Sequence, residues 1–378
     1  STKHDENQIQ RMSSMALKVG IVGLPNVGKS TLFNALLKKR VALSVNYPFA
    51  TIEPNIGVVA VPDPRLNELA QLVKDEEKMG FLPPIVPAVV EFVDIAGLVK
   101  GASTGEGLGN QFLSHIREVD ALVHVLRDFG DENVIRAGSE SPDADRLTIQ
   151  TELSLSDLQV IEKLIFAQEK TAKASHDPIE SKKLEILNKI KEALDQGQVV
   201  GEFQIGDERL DLWFKTLPLL TTKPTLFVYN VAEDQYQEKL EERIDVHELV
   251  ISAKLEEELV DLSEDERVEY LKNMGIEQTG LERLVVKAYQ LLGLISFLTA
   301  GQKEVRAWTI KEGFKAPQAA GVIHTDFEKG FIRAQVVEYQ KLIEVGSFAS
   351  AKLKGLLRTE GREYIMKDGD VVEFLIGS

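Results

Sequence analysis

A chain of 378 residues is long enough for two or three domains, and its 43% hydrophobic and 28% charged residues are typical of a folded protein. It contains no cysteine, which excludes disulfides, thiol nucleophiles, zinc fingers and iron–sulfur clusters, and no apolar run approaches the ~18 residues of a membrane span. The net charge of −16 disfavours general nucleic-acid binding, although residues 296–378, with 12 basic and 11 acidic residues, would oppose an RNA contact least. We therefore expect a cytoplasmic protein whose partners include neither DNA nor a membrane.

A polar segment precedes the first predicted strand. Residues 1–14 show no periodic pattern, and we interpret them as a disordered tail or a remnant of cloning. From Leu17 to Val22 the residues are mostly apolar, as in a buried strand, and Thr31–Leu37 is typical of a helix. Further apolar strands are predicted at Val89–Val93, Ala121–Leu126, Thr225–Tyr229 and His247–Ile251. Because helical segments alternate with the strands, we expect an α/β fold with a mainly parallel sheet covered on both faces.

A glycine-rich turn connects the first strand to the first helix. Residues 23–30 are G-L-P-N-V-G-K-S, which fits the phosphate-loop pattern G-x-x-x-x-G-K-[ST] between a strand and a helix, the context that the pattern requires. Glycines allow backbone N–H groups to surround phosphate oxygens, and the helix directs its positive end at them. We expect Lys29 to reach the β- and γ-phosphates and the Ser30 hydroxyl to bind Mg²⁺. The turn therefore predicts a site for a nucleoside triphosphate.

Two further segments are candidates for contacts with Mg²⁺ and the γ-phosphate. Asp94 follows the second apolar strand and begins the string D-I-A-G, in which the carboxylate can hold Mg²⁺ through water and the Gly97 N–H can face the γ-phosphate. Thr51, within N-Y-P-F-A-T-I-E-P, is a candidate second hydroxyl ligand of Mg²⁺ on a loop that closes over the nucleotide. Judged without the other motifs, Thr51 is an ordinary loop residue.

The residues after Asp94 predict a switch segment and slow hydrolysis. The string G-A-S-T-G-E-G-L-G-N at 101–110 lacks the G-x-G-x-x-G spacing of a dinucleotide site, and we interpret it as a segment that moves with the γ-phosphate. Leu98 stands where many GTPases carry a glutamine that orients water. A leucine cannot orient water, so hydrolysis should be slow or should use another group.

A charged helical segment separates the third apolar strand from the fourth. Residues 148–196 carry two apolar stripes, and a helix start is predicted at Asp177-Pro178. The stripes consist of Leu158, Ile161, Leu164 and Ile165, followed by Leu184, Leu187, Ile190 and Leu194. Narrow stripes with charged outer faces favour an antiparallel coiled-coil insertion over 148–215, and a pair of ordinary surface helices is the alternative.

The fourth strand ends at a candidate base site. In GTPases an N-K-x-D motif recognises guanine, because its aspartate accepts hydrogen bonds from the ring N–H and the exocyclic amine. Here the corresponding string is N-V-A-E, with Val231 in place of lysine and Glu233 in place of aspartate. A site built for hydrogen bonds loses much of its affinity when they are not made, so ATP is favoured over GTP. Lys254, in S-A-K after the fifth strand, is either a base contact or a solvated charge.

After about Ser296 the pattern predicts a small α+β unit. Three β-like runs are separated by glycine-containing turns, namely Val305–Ile310, Gly330–Val337 and Val371–Ile376. On a strand, alternation would place His324, Asp326 and Glu328 on one face, although we do not favour a metal site there. Five basic residues could form an RNA-facing patch or an ordinary solvated surface: Arg306, Lys311, Lys315, Lys329 and Arg333.

Long strings of residues resemble the YchF or Obg-like ATPase family. They are G-L-P-N-V-G-K-S-T-L-F-N-A-L, N-Y-P-F-A-T-I-E-P-N, D-I-A-G-L-V-K-G-A and N-V-A-E, with K-E-V-R-A-W-T-I, H-T-D-F-E-K-G-F-I-R-A and D-G-D-V-V-E-F near the C-terminus. The resemblance implies a P-loop NTPase domain of the G-domain type at 15–147 and 216–295, the coiled-coil insertion, and a TGS domain of β-grasp type at 296–378. It also implies ATP preference, slow Mg²⁺-dependent hydrolysis and binding to the ribosome, as large subunit or whole particle, with rRNA as a further candidate contact.

The resemblance also implies roles for single residues. The phosphates would be held by Asn26, Val27, Gly28, Lys29, Ser30 and Thr31. Ser30 and Thr51 would bind Mg²⁺, Asn230 and Val231 would meet the adenine, and Lys29, Asp94 and Gly97 would act in catalysis. Many family members carry a histidine, proposed to aid catalysis, where this chain has Arg136, and arginine is no general base at neutral pH. His124, in the third strand, is interpreted as a packed residue.

We therefore expect a ribosome-binding ATPase that acts as a nucleotide-dependent switch in translation or its regulation. Two alternatives stay open at this point. One is a GTPase with relaxed base specificity, against which Glu233 argues. The other is an adaptor that ATP regulates with negligible turnover, which Leu98 and Arg136 leave open.

Overall fold

The computed structural model describes residues 17–41, 55–96, 107–130, 141–175, 177–198, 200, 201, 203, 205–242 and 245–377. Predictions for residues 1–14, the 42–54 segment with Thr51, and the 97–106 segment with Gly97 and Leu98 lie outside these residues, as does the prediction for Arg136.

The strands and helices of the described residues follow in chain order. The strands are β1 (Lys18–Val22), β2 (Ile56–Ala60), β3 (Ile85–Val86), β4 (Val89–Asp94), β5 (Ala121–Asp128), β6 (Thr225–Val231), β7 (Glu248–Ile251), β8 (Leu294–Ala300), β9 (Val305–Lys311), β10 (Phe331–Glu338), β11 (Arg358–Glu360) and β12 (Asp370–Ile376). The helices are α1 (Lys29–Val41), α2 (Arg65–Glu76), α3 (Gly107–Arg117), α4 (Pro142–Ala174), α5 (Pro178–Asp195), α6 (Glu208–Phe214), α7 (Tyr236–Glu242), α8 (Ala253–Asp261), α9 (Glu264–Asn273), α10 (Gly280–Leu291), α11 (Ala316–Ile323), α12 (Thr325–Gly330), α13 (Tyr339–Val345) and α14 (Phe348–Leu353).

The first sheet contains all five strands that the apolar runs predict. Its order is β2–β4–β1–β5–β6–β7, and every pair is parallel except β2 with β4. The central strand β5 is buried along almost its whole length, because a parallel sheet covered on both faces hides the side chains of both faces. The mainly parallel P-loop fold is therefore confirmed, and β2 adds an antiparallel edge strand that the apolar runs did not reveal.

The helical segment after β5 folds as an antiparallel pair. Ser141 and Asp177 cap α4 and α5, and each helix has a proline in its first turn, as expected from the sequence at Asp177-Pro178. The side chain of Gln168 contacts Glu180, and Lys191 contacts Glu162, so the two helices run in opposite directions. Their apolar stripes pack together with Leu210 and Phe214 of α6 in a core of their own. The limits of the insertion at 148–215 stay a prediction, since α4 already begins at Pro142.

The C-terminal part is an α+β domain, as the sequence predicts. Its sheet has the order β11–β10–β12–β8–β9–β3, in which β12 with β8 and β3 with β9 are the parallel pairs. The placement of His324, Asp326 and Glu328 on a strand is wrong. His324 caps α12 by accepting a hydrogen bond from the Asp326 N–H at 3.2 Å, so the two acidic residues lie on a short helix.

The two sheets are connected by more than the chain between α10 and β8. The two residues of β3, which precede β4 in the chain, pair with Val305 and Arg306 of the C-terminal sheet. Arg65 of α2 donates to Asp368 at 2.8 Å, and the Glu76 carboxylate accepts from the first N–H groups of α14. Helix α2 is therefore the main bridge to the C-terminal domain. Among the described residues, no helix combines the length and the apolar character that a bilayer span needs.

Candidate nucleotide site

The phosphate loop lies between the end of β1 and the start of α1. Its backbone has positive φ angles at Asn26 (64°) and Gly28 (91°), which turn successive peptide groups toward one side. A Cβ atom on Gly28 would lie 2.1 Å from Nδ2 of Asn230, and φ there favours glycine in any case. A Cβ atom on Gly23 would lie 2.9 Å from the Val125 carbonyl oxygen of β5. The two glycines are thus required by close contacts with the neighbouring strands.

Lys29 and Asp94 meet at the carboxyl edge of the sheet. The register of β1 against β4 places Ile21 beside Asp94, and the Ile95 N–H donates to the Ile21 carbonyl at 3.1 Å. The Lys29 ammonium contacts the Asp94 carboxylate, and the Lys29 side chain is only 11% exposed. Ser30, the next residue of α1, is exposed to solvent. Two predicted residues that lie 65 positions apart are therefore joined, with an accessible hydroxyl beside them.

Asn230 connects the phosphate loop to the loop after β7. Its side chain is 5% exposed, its Nδ2 donates to the Val27 carbonyl at 2.9 Å, and its Oδ1 accepts from the Ala253 N–H at 2.9 Å. An asparagine amide carries a second N–H, which is the group available for a ligand. The predicted adenine contact of Asn230 stays a prediction, and the observed role is to hold two loops together.

A cavity of about 860 Å³ opens between these loops. This volume lies within the usual range for small-molecule sites. Four predicted residues line it, namely Gly28, Thr31, Asn230 and Val231. The lining is completed by Phe129, Gly130, Ala232, Glu233, Asp234, Ser252, Ala253, Lys254, Tyr270, Asn273 and Met274. The exposed side chain of Lys254 thus lies at the cavity, which leaves both interpretations of this residue open.

Glu233 has a partner within the cavity wall. The Tyr270 hydroxyl of α9 donates to Oε1 of Glu233 at 3.2 Å. Burial raises the pKa of the Tyr270 hydroxyl, and the hydrogen bond to Glu233 and its negative charge raise it further, so the group stays a donor at neutral pH. The carboxylate that replaces the guanine-reading aspartate is therefore held by a tyrosine.

Sequence reasoning anticipated that the phosphate loop and Asp94 lie together, and it missed part of the cavity lining. Phe129 and Gly130 directly follow β5, and ligands of parallel sheets bind beyond the carboxyl ends of strands, so this position could have been inferred. Tyr270, Asn273 and Met274 come from the end of α9, which no local motif marks.

His124 is packed inside the molecule, as predicted. It is 2% exposed, its ring lies 5.7 Å from that of Phe227, and Arg146 lies 3.7 Å from the same Phe227 ring. Burial, together with the charge of Arg146, lowers the pKa of His124 to about 3. The imidazole is therefore neutral and belongs to the core.

Two models of protein families match the chain. The one described as "50S ribosome-binding GTPase" matches residues 18–166. The other, YchF-GTPase_C, described as "Protein of unknown function (DUF933)", matches residues 294–377.

Several characterised proteins resemble the chain over nearly their whole length. Ribosome-binding ATPase YchF of Bacillus subtilis is 47% identical over 372 residues, which cover 95% of this chain and 99% of the relative. Its counterpart from Escherichia coli O157:H7 is 45% identical over 373 residues, covering 96% and 99%. The solved structure of the Schizosaccharomyces pombe YchF GTPase is similar with a TM-score of 0.82 and 36% identity, and the match covers 95% of this chain and 97% of that one.

Proposed function

The chain belongs to the YchF family, and from this membership and the geometry of the site we propose that it is a ribosome-binding ATPase. It binds ATP with Mg²⁺, hydrolyses it slowly to ADP and phosphate, and acts as a nucleotide-dependent switch in translation or its regulation. The Obg-like assignment, the β-grasp TGS character of residues 296–378 and the division into 15–147 with 216–295 and 148–215 are parts of the same proposal.

The composition of the base end supports ATP rather than GTP. The names of the relatives differ on this point, since the bacterial proteins are called ATPases and the yeast structure a GTPase. At the cavity, Val231 is 2% exposed and replaces the lysine of N-K-x-D, while Glu233 replaces the aspartate and is bonded to Tyr270. Guanine would leave hydrogen-bond donors unmatched there, which costs affinity. This base end is the observation that carries the proposal.

The residues at the phosphate end fit Mg²⁺. Oxygen donors suit this hard cation, and the Ser30 hydroxyl and Asp94 carboxylate are such donors at converging ends of α1 and β4. Thr51 is the proposed second hydroxyl ligand. When bound, the ion would neutralise charge on the phosphate oxygens.

The chain's own residues would then orient the triphosphate. The backbone N–H groups of the phosphate loop bind phosphate oxygens, and Lys29 exchanges its Asp94 contact for the β- and γ-phosphates. Gly97 contributes its N–H beside the γ-phosphate. With leucine at position 98, no side chain there orients the attacking water, and turnover is slow.

The ribosome is the proposed partner because the bacterial relatives are named for it, and a cytoplasmic location is part of the same proposal. An rRNA contact through the C-terminal domain is a finer part of the proposal. In the basic set of that domain, Lys315 pairs with Glu363 and Arg306 lies 4.0 Å from the Trp308 ring, so these two charges are partly engaged within the domain.

Calorimetric titration with non-hydrolysable ATP and GTP analogues in the presence of Mg²⁺ tests the nucleotide. We expect the ATP analogue to bind at least ~10-fold more tightly. Equal or tighter binding of the GTP analogue would make the protein a GTPase, and binding of neither would refute the phosphate site. Lys29→Ala should abolish binding, whereas Lys38→Ala, on the same helix but paired with Asp261 at the surface, should not.

The Asn230→Ala variant separates two roles of this side chain. Because the amide joins Val27 to Ala253, its loss should weaken both analogues by a similar factor of ~10. A loss confined to the ATP analogue would instead indicate that Asn230 acts mainly through the adenine. Single-turnover hydrolysis with and without ribosomes then distinguishes an ATPase from an ATP-regulated adaptor, which would show negligible turnover in both.

A further inference from the structure

The identity of residue 233 does not by itself exclude guanine. A glutamate has one more rotatable bond than an aspartate, and its side chain can fold back so that the carboxylate occupies a range of positions. Glu233 is also exposed to solvent and begins a short 3₁₀ turn rather than lying within the core. A freely moving Glu233 carboxylate would therefore find guanine donors in part of its conformations.

Tyr270 removes this freedom. Its hydroxyl donates to Oε1 of Glu233 at 3.2 Å, and both side chains line the same cavity. Each carboxylate oxygen can accept two hydrogen bonds, so the Tyr270 bond does not saturate Oε1 but fixes the direction in which the carboxylate points. Recognition of the guanine edge requires both oxygens to be turned toward the base, one to the ring N–H and one to the exocyclic amine. The tyrosine and the guanine base thus compete for the orientation of the same carboxylate.

Helix α9 holds Tyr270 in place. The helix begins with a reciprocal cap between Ser263 and Glu266, and Leu271 anchors it in a buried cluster with Val231. At its other end the Met274 carbonyl accepts from the Gln237 side chain at 2.6 Å. The tyrosine is therefore presented by an element that is fixed at both ends against the base end of the cavity.

We propose that Tyr270 is a positioning residue for nucleotide specificity, which holds Glu233 so that the carboxylate cannot accept from guanine. The inference rests on the proposed ATP preference and assigns part of it to a residue outside the N-V-A-E motif. It gives α9 a role in selecting the base, and it places this role on a contact that leaves the phosphate loop untouched.

Titrations of Tyr270→Phe with non-hydrolysable ATP and GTP analogues test the proposal. We expect the GTP analogue to bind ~5-fold more tightly than to the unchanged protein, with affinity for the ATP analogue changed less than ~2-fold. In Tyr270→Phe combined with Glu233→Gln the gain should vanish, because a carboxamide offers one acceptor where guanine needs two. Tyr364→Phe is the matched control, since it removes a tyrosine–carboxylate contact, to Asp370, in the C-terminal domain.

The outcomes separate this proposal from the proposed function. If the protein without substitutions does not prefer the ATP analogue, the proposed function is refuted. An ATP preference that Tyr270→Phe leaves as it was would refute the role of Tyr270 alone. A similar change in affinity for both analogues would show that Tyr270 contributes only to the shape of the cavity wall. So would a gain in affinity for the GTP analogue that persists with Glu233→Gln, and either result would overturn the proposal. Thermal unfolding of each variant verifies that it is folded.

Discussion

At the scale of single residues, His124 shows what a buried titratable group costs. It lies in the middle of β5, between β1 and β6, and among the described residues its Nε2 atom has no hydrogen-bond partner. Its pKa falls to about 3 through burial and through Arg146, against about 6.5 in an unfolded chain. Between these values the unfolded state binds a proton that the folded state does not bind.

Acid should therefore destabilise the fold through His124. As the pH falls from about 6.5 toward 3, the free energy of unfolding should drop by about 1.4 kcal/mol per pH unit on this account, with no contribution above pH 7. Urea unfolding of His124→Leu at about pH 5.0 and 6.0, within that range, should show a slope smaller by this amount, and at about pH 7.5, above it, the difference should vanish. The same change at the exposed His115 of α3 should leave the slope intact. Equal acid sensitivity of the unchanged protein and His124→Leu would contradict the assignment.

How much of the site could be predicted differs from residue to residue. Lys29, Ser30 and Asp94 were predictable because strands and turns mark them locally, and parallel strands bring their carboxyl ends together. The bridging role of Asn230 was not, since it depends on the Val27 carbonyl and the Ala253 N–H, two backbone groups far away in the chain. Tyr270 was missed for the same reason, because a contact between side chains 37 positions apart leaves no periodic signal.

At the scale of elements, the outer part of the helical hairpin is a separate packing unit, whereas Ile149 and Leu153 near the start of α4 belong to the core around the first sheet. Its buried cluster draws on α4, α5 and α6 and shares no buried residue with the core around the first sheet. One strong tie to the rest is Asp157 of α4, which is fully buried and accepts from the Leu220 and Thr221 N–H groups at 2.8 Å each. The outer part of the hairpin should therefore loosen without disturbing the nucleotide site.

Truncation of one core side chain tests this independence. Ile190→Ala, at a fully buried position of α5, should cost about 2–5 kcal/mol in the hairpin. Hydrogen exchange should accelerate in α4 and α5, while affinity for the ATP analogue should change less than ~2-fold. Lys189→Ala, one position away and exposed, should change neither. A large loss of nucleotide affinity in Ile190→Ala would show that the two cores are coupled.

Element types were predictable where length or caps supported them. The proline and capping aspartate at 177–178 marked the start of α5, and the apolar runs marked the parallel strands. The string H-T-D-F-E is too short to distinguish the periodicity of a strand from that of a helix, so its placement on a strand was wrong. The His324 ring caps a short helix there by accepting a hydrogen bond from the Asp326 N–H. Strand β3 has only two residues, and its existence depends on β9, more than 200 positions later.

At the scale of the whole molecule, α2 connects the nucleotide domain to the C-terminal domain. Both oxygens of Glu76 accept from the N–H groups of Phe348 and Ala349 at 2.9 Å, so a side chain of one domain caps a helix of the other. Arg65, at the opposite end of α2, is bonded to Asp63 and to Asp368. Helix α2 follows β2, so this bridge connects the C-terminal domain to the edge of the first sheet.

Loss of the Glu76 cap should weaken the junction specifically. Glu76→Ala should cost about 1 kcal/mol, as for other helix caps, and should speed hydrogen exchange at the Phe348 and Ala349 amides. Asp75→Ala, which alters the neighbouring exposed carboxylate, should leave those amides protected. Unchanged exchange at both amides in Glu76→Ala would contradict a capping role.

The two-residue strand β3 also limits how the protein can be dissected. In the intact chain it covers Val305 and Arg306 on the outer side of β9, and the Pro84 carbonyl accepts from the Val305 N–H at 2.9 Å. A fragment that starts at residue 294 would carry the C-terminal sheet without this cover. Its β9 edge would then offer unpaired backbone groups to any extended peptide, including another fragment. Self-association of such a fragment would reflect where it was cut and not a property of the intact protein.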